Sequence, residues 1–137
     1  MSVLVKDKEA SALERIRNLI PLQVRLSDEF DENTYNIFVF GSYPTIRYEE
    51  GSSDIDIAVY TENVDLYKRI AVLIEDYFYE LGIETDLFWI DTSVAAPVYL
   101  AALNSQIQFT DFYPEKLIIF KNKCQQELMK IKRSMVG

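Results

Sequence analysis

The spacing of apolar residues predicts amphipathic helices at the start and in the middle of the chain. Apolar positions three and four residues apart, with charges between them, indicate a helix over residues 8–20 that Pro21 interrupts. Residues 22–30 permit either a second short helix with Pro21 in its first turn or an extended segment. A longer helix follows Asn63, a favourable N-cap, and ends at Gly82 in the C′ position.

Three segments rich in β-branched and aromatic residues are predicted strands, at 35–40, 54–60 and 83–90. The segment 41–53 is polar and contains Pro and Gly, so it is predicted to be a loop with room for one helical turn. The first two strands are therefore joined by a loop long enough to contact a ligand.

Two further helices complete the predicted order of elements. One is capped by Ser93 and runs through about Leu103, and the other covers about 115–134. Together the elements predict a single α/β domain of the α+β type over residues 1–137, with a small mixed β-sheet flanked by helices.

The charge balance limits the partners that the domain can bind. Fourteen Lys and Arg residues stand against 22 Asp and Glu residues, which gives a net charge of −8. Because a protein that grips a nucleic-acid backbone needs clustered cations, autonomous nucleic-acid binding is not expected. A basic protein partner suits this surface better, although the charge also serves solubility alone.

The content of histidine and cysteine excludes several kinds of chemistry. With no His and with Cys124 as the only cysteine, the usual Cys/His zinc sites, an intrachain disulfide and His-based acid–base catalysis are all ruled out. Any metal must therefore be held by carboxylates. Residues 6–9 are charged where a signal peptide would be apolar, and no run approaches about 18 apolar residues, so we expect a cytoplasmic protein without a membrane segment.

Carboxylates and a glycine-serine pair are the candidate functional residues. Asp54 and Asp56 flank Ile55, so on a strand both project to the same side, roughly 6.5 Å apart. Carboxylate oxygens are the ligands that Mg²⁺ prefers, and the next strand supplies Asp86, which the sequence suggests is buried. Gly41-Ser42 ends the strand before this pair and offers a close backbone approach, a hydroxyl and free N–H groups to a phosphate.

Each of these residues also has a purely structural interpretation. The Asp54 and Asp56 pair can be a solvated edge-strand pair, and Asp86 a surface residue on an edge strand. Ser42 can be no more than a turn residue or a helix cap.

These residues resemble the nucleotidyltransferase superfamily that includes DNA polymerase β, and within it the minimal nucleotidyltransferases. The shared signature is a strand ending in Gly41-Ser42, a loop, the strand segment Asp54-Ile55-Asp56, and a third carboxylate, Asp86, on a later strand. The resemblance covers about residues 10–104 and leaves the last helix outside.

The resemblance implies transfer of a nucleoside monophosphate, AMP from ATP in the first instance, to a hydroxyl of a protein or RNA acceptor. It implies that Asp54, Asp56 and Asp86 are catalytic ligands of two Mg²⁺ ions. It also implies that Gly41 and Ser42 bind the triphosphate of the NTP.

The loop departs from the family pattern. Eleven residues separate Ser42 from Asp54, one more than usual, and Arg47 replaces the usual arginine in a different register. Arg47 is a candidate nucleotide-binding residue, with a simple loop cation as the alternative. Glu49 and Glu50 beside it would repel a triphosphate, so the fold is predicted more firmly than the activity.

The resemblance also bears on partners. Small stand-alone members pair with a helical HEPN-type protein, in some cases as the antitoxin of a toxin–antitoxin pair, and a homo- or hetero-oligomer is compatible with this. The alternative function is a binding module with weak or no transferase activity that neutralises a partner by contact. A sugar transferase that uses its D-x-D pair is a third and more remote hypothesis.

Overall fold

A four-stranded sheet lies between two layers of helices. The computed structural model describes residues 3–136, so residues 1, 2 and 137 of the predicted domain lie outside the described part. The helices are α1 (Val3–Arg17), α2 (Ile20–Glu29), α3 (Val64–Glu80), α4 (Leu100–Leu103) and α5 (Glu115–Val136). The strands are β1 (Tyr35–Phe40), β2 (Ile55–Thr61), β3 (Thr85–Trp89) and β4 (Ile107–Gln108). This arrangement confirms the predicted mixed sheet with flanking helices.

The sheet has the order β3-β2-β1-β4 and contains both kinds of pairing. β1 pairs antiparallel with β2 and with β4, whereas β2 and β3 are parallel. The parallel pair is joined through α3, as expected because parallel strands need a crossover connection. As a result, β2 and β3 begin at the same end of the sheet, and β1 ends there.

Each face of the sheet is covered by its own apolar cluster. Side chains of α2 and α3 pack on one face, against residues of β1 and β2 that include Ile37 and Ile57. On the other face α4 and α5 pack against Phe38, Ala58 and Tyr60. Because both faces of β2 are buried, its sequence is apolar nearly throughout and departs from strict alternation.

The ends of α3 agree with the sequence prediction in detail. Asn63 Oδ1 accepts hydrogen bonds from the backbone N–H of Asp65 at 2.9 Å and of Leu66 at 3.1 Å. Gly82 follows the helix with a φ of +71°, and the backbone N–H of Ile83 donates to the Phe78 carbonyl at 2.9 Å. These two ends set where β3 begins.

Of the two structures that the sequence permits for residues 22–30, the helix is the one observed. α2 begins at Ile20 with Pro21 in its first turn, where a missing N–H costs nothing. Leu22 and Leu26, one helical turn apart, are both fully buried against the sheet. Burial at that spacing is what an extended segment could not provide.

The predicted helix from Ser93 through Leu103 is wrong over its first half. Ser93 lies in a turn in which its N–H and hydroxyl both donate to Asp91 Oδ1. Ala96 is extended, with φ −151° and ψ 144°, because it precedes Pro97. Only a 3₁₀ turn at Pro97–Tyr99 and the four-residue α4 follow.

Strand β4 was not predicted, and a buried polar side chain holds it and the segment after it to β1. Asn36 is fully buried, and its Oδ1 accepts from the Thr110 N–H at 3.2 Å. Its Nδ2 donates to the Phe112 carbonyl at 2.9 Å and to Gln108 Oε1 at 3.2 Å. A two-residue strand carries too little pattern to be recognised, so its pairing depends on contacts that are distant in sequence.

No helix between residues 3 and 136 is both long and apolar enough to span a bilayer.

Replacing Asn36→Ala should lower the free energy of unfolding by about 2 kcal/mol, because it leaves half-buried backbone groups of residues 110 and 112 without these partners. Chemical denaturation measures this loss. Asn33→Ala is the matched control, since the Asn33 side chain is exposed, and it should change stability by less than about 0.5 kcal/mol. Equal effects of the two substitutions would contradict the assignment.

Candidate active site

The sheet register brings Asp56 and Asp86 side by side. The two residues are direct partners in the parallel pairing of β2 with β3, so their side chains leave the sheet on the same face. Phe40 is the partner of Asp56 on β1, which places the Gly41-Ser42 turn beside the same carboxylate. Asp54 lies just before β2 and is exposed, whereas Asp56 is half-buried.

The electrostatics of Asp56 reflect this crowding. Burial raises the pKa of the Asp56 carboxyl above its ordinary value, and the charges of Asp86 and Asp54 raise this pKa further. The side chains of Asp56 and Asp86 are also close enough to share a hydrogen bond that favours the protonated form. At neutral pH the site therefore carries repulsion that a bound cation would relieve.

Gly41 is required by the geometry of this corner. Its φ of +73° lies in the left-handed region, and a Cβ added to it would overlap the carboxylate of Asp56. The strand end therefore approaches Asp56 more closely than any other residue type would allow. This gives a physical reason for the glycine that the family signature places before the serine.

The chain after Gly41 forms a series of turns and no helix. The carbonyl of Ser42 accepts hydrogen bonds from both the N–H and the hydroxyl of Thr45, each at 2.8 Å. Residues 41–53 therefore contain no strand-to-helix turn, which is one geometry that can bind phosphate. Ser42 is half-buried, next to Gly41.

Asp86 is placed differently from expectation, whereas Arg47 lies on the loop as the sequence predicts. Asp86 is exposed and not buried, because β3 is an edge strand of the sheet. Arg47 is exposed on the loop, where its backbone N–H donates to Thr45 Oγ1 at 3.1 Å. The structure thus brings Gly41, Asp56 and Asp86 together, and a contact between Arg47 and a nucleotide stays a prediction.

A cation that the sequence did not single out contacts this loop. Arg15 of α1 donates from Nε to the Tyr43 carbonyl and from Nη2 to the Thr45 carbonyl, both at 2.7 Å. In the sequence it is one of several charges of an amphipathic helix, and its partners are 28 and 30 residues away. No local motif could have identified it.

Aromatic rings line the sheet face next to the carboxylates. Phe40 is the strand partner of Asp56, and Phe88 lies two residues after Asp86 on β3. Their rings meet edge to face with centroids 5.9 Å apart. Tyr99 then contacts Phe88 at 6.0 Å and Phe120 of α5 at 5.2 Å. This row of aromatic rings connects the carboxylate corner to the α4–α5 layer and forms an apolar surface beside it.

A cavity of about 470 Å³ lies beside the site and includes only part of it. It lies between the end of α1, the loop around Tyr48–Asp54 and the turn at Leu81–Glu84. Asp54 lines this cavity, but Asp56 and Asp86 do not. The carboxylates themselves stand on a more open surface at the edge of the sheet.

The residues fit a hard divalent cation by donor type. Asp54, Asp56 and Asp86 offer carboxylate oxygens. A bound cation would offset the repulsion that Asp56 experiences from the other two carboxylates. Across residues 3–136, however, no three side chains of the metal-binding types stand together as a formed ion site. Side-chain movement would be needed to close the carboxylates around an ion.

The fold is that of a nucleotidyltransferase domain. The Nucleotidyltransferase domain family matches residues 24–133, and the chain belongs to this family. No curated protein matches the chain at a significant level of sequence similarity.

A solved structure shares the fold. The chain is similar to a chain of the crystal structure of the toxin–antitoxin MntA–HpeT, in a mutant in which two aspartates two positions apart are replaced by glutamate. The TM-score is 0.52 at 19% identity, over 88% of this chain and 94% of that chain. The family match confirms the predicted nucleotidyltransferase membership, and this likeness confirms the fold.

Replacing Gly41→Ala should displace the Asp56 carboxylate and lower the free energy of unfolding by about 1 kcal/mol through the left-handed backbone. Gly51→Ala is the matched control, because Gly51 has a φ of +79° but nothing within 4 Å of an added Cβ. Both variants should lose similar stability in denaturation experiments. Only Gly41→Ala should weaken Mg²⁺ binding measured by calorimetry, and equal Mg²⁺ binding in both would contradict the close approach.

Replacing Asp86→Asn should raise the melting temperature of the metal-free protein, because it removes a charge that disfavours ionised Asp56. A carboxyl with a raised folded-state pKa costs stability once it is ionised, so the gain should be present at neutral pH and shrink as the pH falls toward 3.8. Thermal unfolding in a chelator measures the gain. Asp28→Asn, at an exposed position of α2, should show no such pH-dependent gain.

Proposed function

We propose that this protein is a Mg²⁺-dependent nucleotidyltransferase that transfers a nucleoside monophosphate, AMP from ATP in the first instance, to a hydroxyl of a protein or RNA acceptor. The observation that carries the proposal is the register of Asp56 with Asp86, next to a Gly41 turn that only glycine can make. Membership of the nucleotidyltransferase domain family supports the reaction class.

In this proposal each residue of the corner has a distinct part. Asp54, Asp56 and Asp86 would hold the cations, whose charge would neutralise the phosphates and polarise the acceptor hydroxyl. Asp86 would also accept the proton of that hydroxyl. Gly41 and Ser42 bind the phosphates through backbone N–H groups and the serine hydroxyl. The acceptor oxygen forms a bond to the α-phosphorus, the bond from that phosphorus to the bridging oxygen breaks, and pyrophosphate leaves with the electron pair.

The acceptor is proposed to be a partner protein of the helical HEPN type, with this chain as its antitoxin. The similar structure is that of a toxin–antitoxin pair, and the net charge of −8 suits a basic partner. The exposed position of Asp86 supports an acceptor that approaches from outside, because β3 is the last strand on its side of the sheet. The cytoplasm is the proposed location.

A binding module without transferase activity is the second candidate function. Glu49 and Glu50 are exposed on the loop next to the Gly41-Ser42 turn, where their charges would oppose a triphosphate. In this case the protein would neutralise its partner through contact alone.

The two functions are separated by Asp54→Ala/Asp56→Ala, assayed with ATP labelled at the α-phosphate and the co-purifying partner. For an enzyme, label transfer should fall by at least about 100-fold, since two of the three proposed cation ligands are lost. Asp28→Ala on α2 is the control and should retain transfer. Chelation of Mg²⁺ should abolish transfer by the wild-type protein.

Intact-mass measurement of the partner and of co-purifying RNA provides the decisive readout. A gain of one nucleoside monophosphate on either acceptor with wild-type protein supports the enzyme. No gain on any acceptor, combined with neutralisation that survives the double substitution, would establish the binding module instead.

A further inference from the structure

Arg15 joins α1 to the loop that follows the candidate phosphate turn. Its guanidinium donates to the carbonyls of Tyr43 and Thr45, both at 2.7 Å, and these residues come directly after Gly41-Ser42. Two donors on one planar group fix both position and orientation of their partners. Arg15 is half-buried, so these hydrogen bonds are partly shielded from water.

The same guanidinium lies over two aromatic rings of the loop. The Arg15 Cζ is 4.7 Å from the ring centroid of Tyr48 and 5.9 Å from that of Tyr43. The two tyrosine rings meet edge to face at 5.1 Å, and Tyr43 also packs edge to face on Phe78 of α3. The Arg15 side chain therefore contacts both the backbone and the aromatic side chains of the loop.

Packing also holds this loop, since Tyr43 is fully buried in the core and Tyr48 packs against the same cluster. The hydrogen bonds within it are local, from Thr45 to Ser42 and from Ser53 to Glu49. The cavity of about 470 Å³ lies under its second half, lined by Arg15, Tyr48 and Glu50 among others. Because a cavity borders the second half of the loop, the long-range bonds from α1 add to this packing in ordering the loop.

We propose that Arg15 is a positioning residue that holds the Gly41-Ser42 turn in its phosphate-binding shape from outside the site. This inference rests on the proposed function and deepens it. Arg15 acts by fixing the Tyr43 and Thr45 carbonyls, so that the turn is ordered before the nucleotide arrives. Arginine is required because a lysine ammonium cannot serve both carbonyls and stack flat on Tyr48.

The test uses Arg15→Met, which keeps an apolar stem, and Arg15→Lys, which keeps the charge. Arg17→Met is the matched control, since Arg17 is an exposed residue at the end of the same helix. Three quantities are measured: MgATP affinity by calorimetry, hydrogen exchange of residues 42–53, and the melting temperature. Hydrogen exchange reports order in the loop, which a melting temperature alone does not resolve.

Arg15→Met should weaken MgATP binding by about tenfold, as expected for the loss of one or two charge-assisted hydrogen bonds. Amide exchange should accelerate at Thr45 and Tyr48 and stay unchanged in β1 and β2. Arg15→Lys should remain folded and still lose part of the affinity, so this variant decides the question if Arg15→Met does not fold. Arg17→Met should match the wild-type protein in all three measurements.

Failure of this inference has its own pattern. If wild-type protein binds MgATP and both Arg15 variants bind it equally well, Arg15 does not position the turn, and the proposed function stands. A lower melting temperature with unchanged exchange and affinity would assign Arg15 a structural function only. If the wild-type protein itself binds no MgATP, the proposed function is wrong, and the Arg15 inference is overturned with it.

Discussion

The parallel pairing of β2 with β3 is the constraint on which the candidate site depends. It places Asp56 directly opposite Asp86, although 30 positions separate them in the chain. The register is maintained because β2 is buried on both faces, so a slip by one residue would exchange its two sets of core side chains. The crossover helix α3, with defined ends at Asn63 and Gly82, delivers β3 to this register.

The site is held together at a cost to the fold. Asp56 is half-buried between Asp54 and Asp86, and these neighbours disfavour its ionised form. A protein selected for stability alone would not place Asp56 beside Asp86 in this way, since nothing in the fold requires their charge. The surrounding structure tolerates the repulsion because the aromatic row through Phe40 and Phe88 and the buried β2 strand supply ample apolar contact.

The loop after Gly41 shows how a site can depend on a distant element. Its turn is formed by local hydrogen bonds at Ser42 and Thr45, and Arg15 attaches it to α1. Burial of Tyr43 in the core supplies the rest of this attachment, while a cavity borders the loop at Tyr48. If the turn binds phosphate as proposed, order in the loop and phosphate affinity depend on the same contacts.

The sequence by itself determined the elements whose signals are local. β-branched content predicts the strands at 35–40 and near 54–60, and capping chemistry predicts the ends of α3. Spacing within a few residues identifies the motif of Gly41, Asp54 and Asp56. Where a local signal was misjudged, at the helix begun at Ser93, the stiff backbone of Pro97 was the cause.

Tertiary structure alone decided features that depend on which segments meet. Asp86 is exposed because β3 ends the sheet, and β4 exists because Asn36 binds the segment beyond it. Arg15 acquired partners about 30 residues away through the docking of α1. Such pairings are set by the free energy of packing the whole chain, and no periodicity or motif within a segment records that energy.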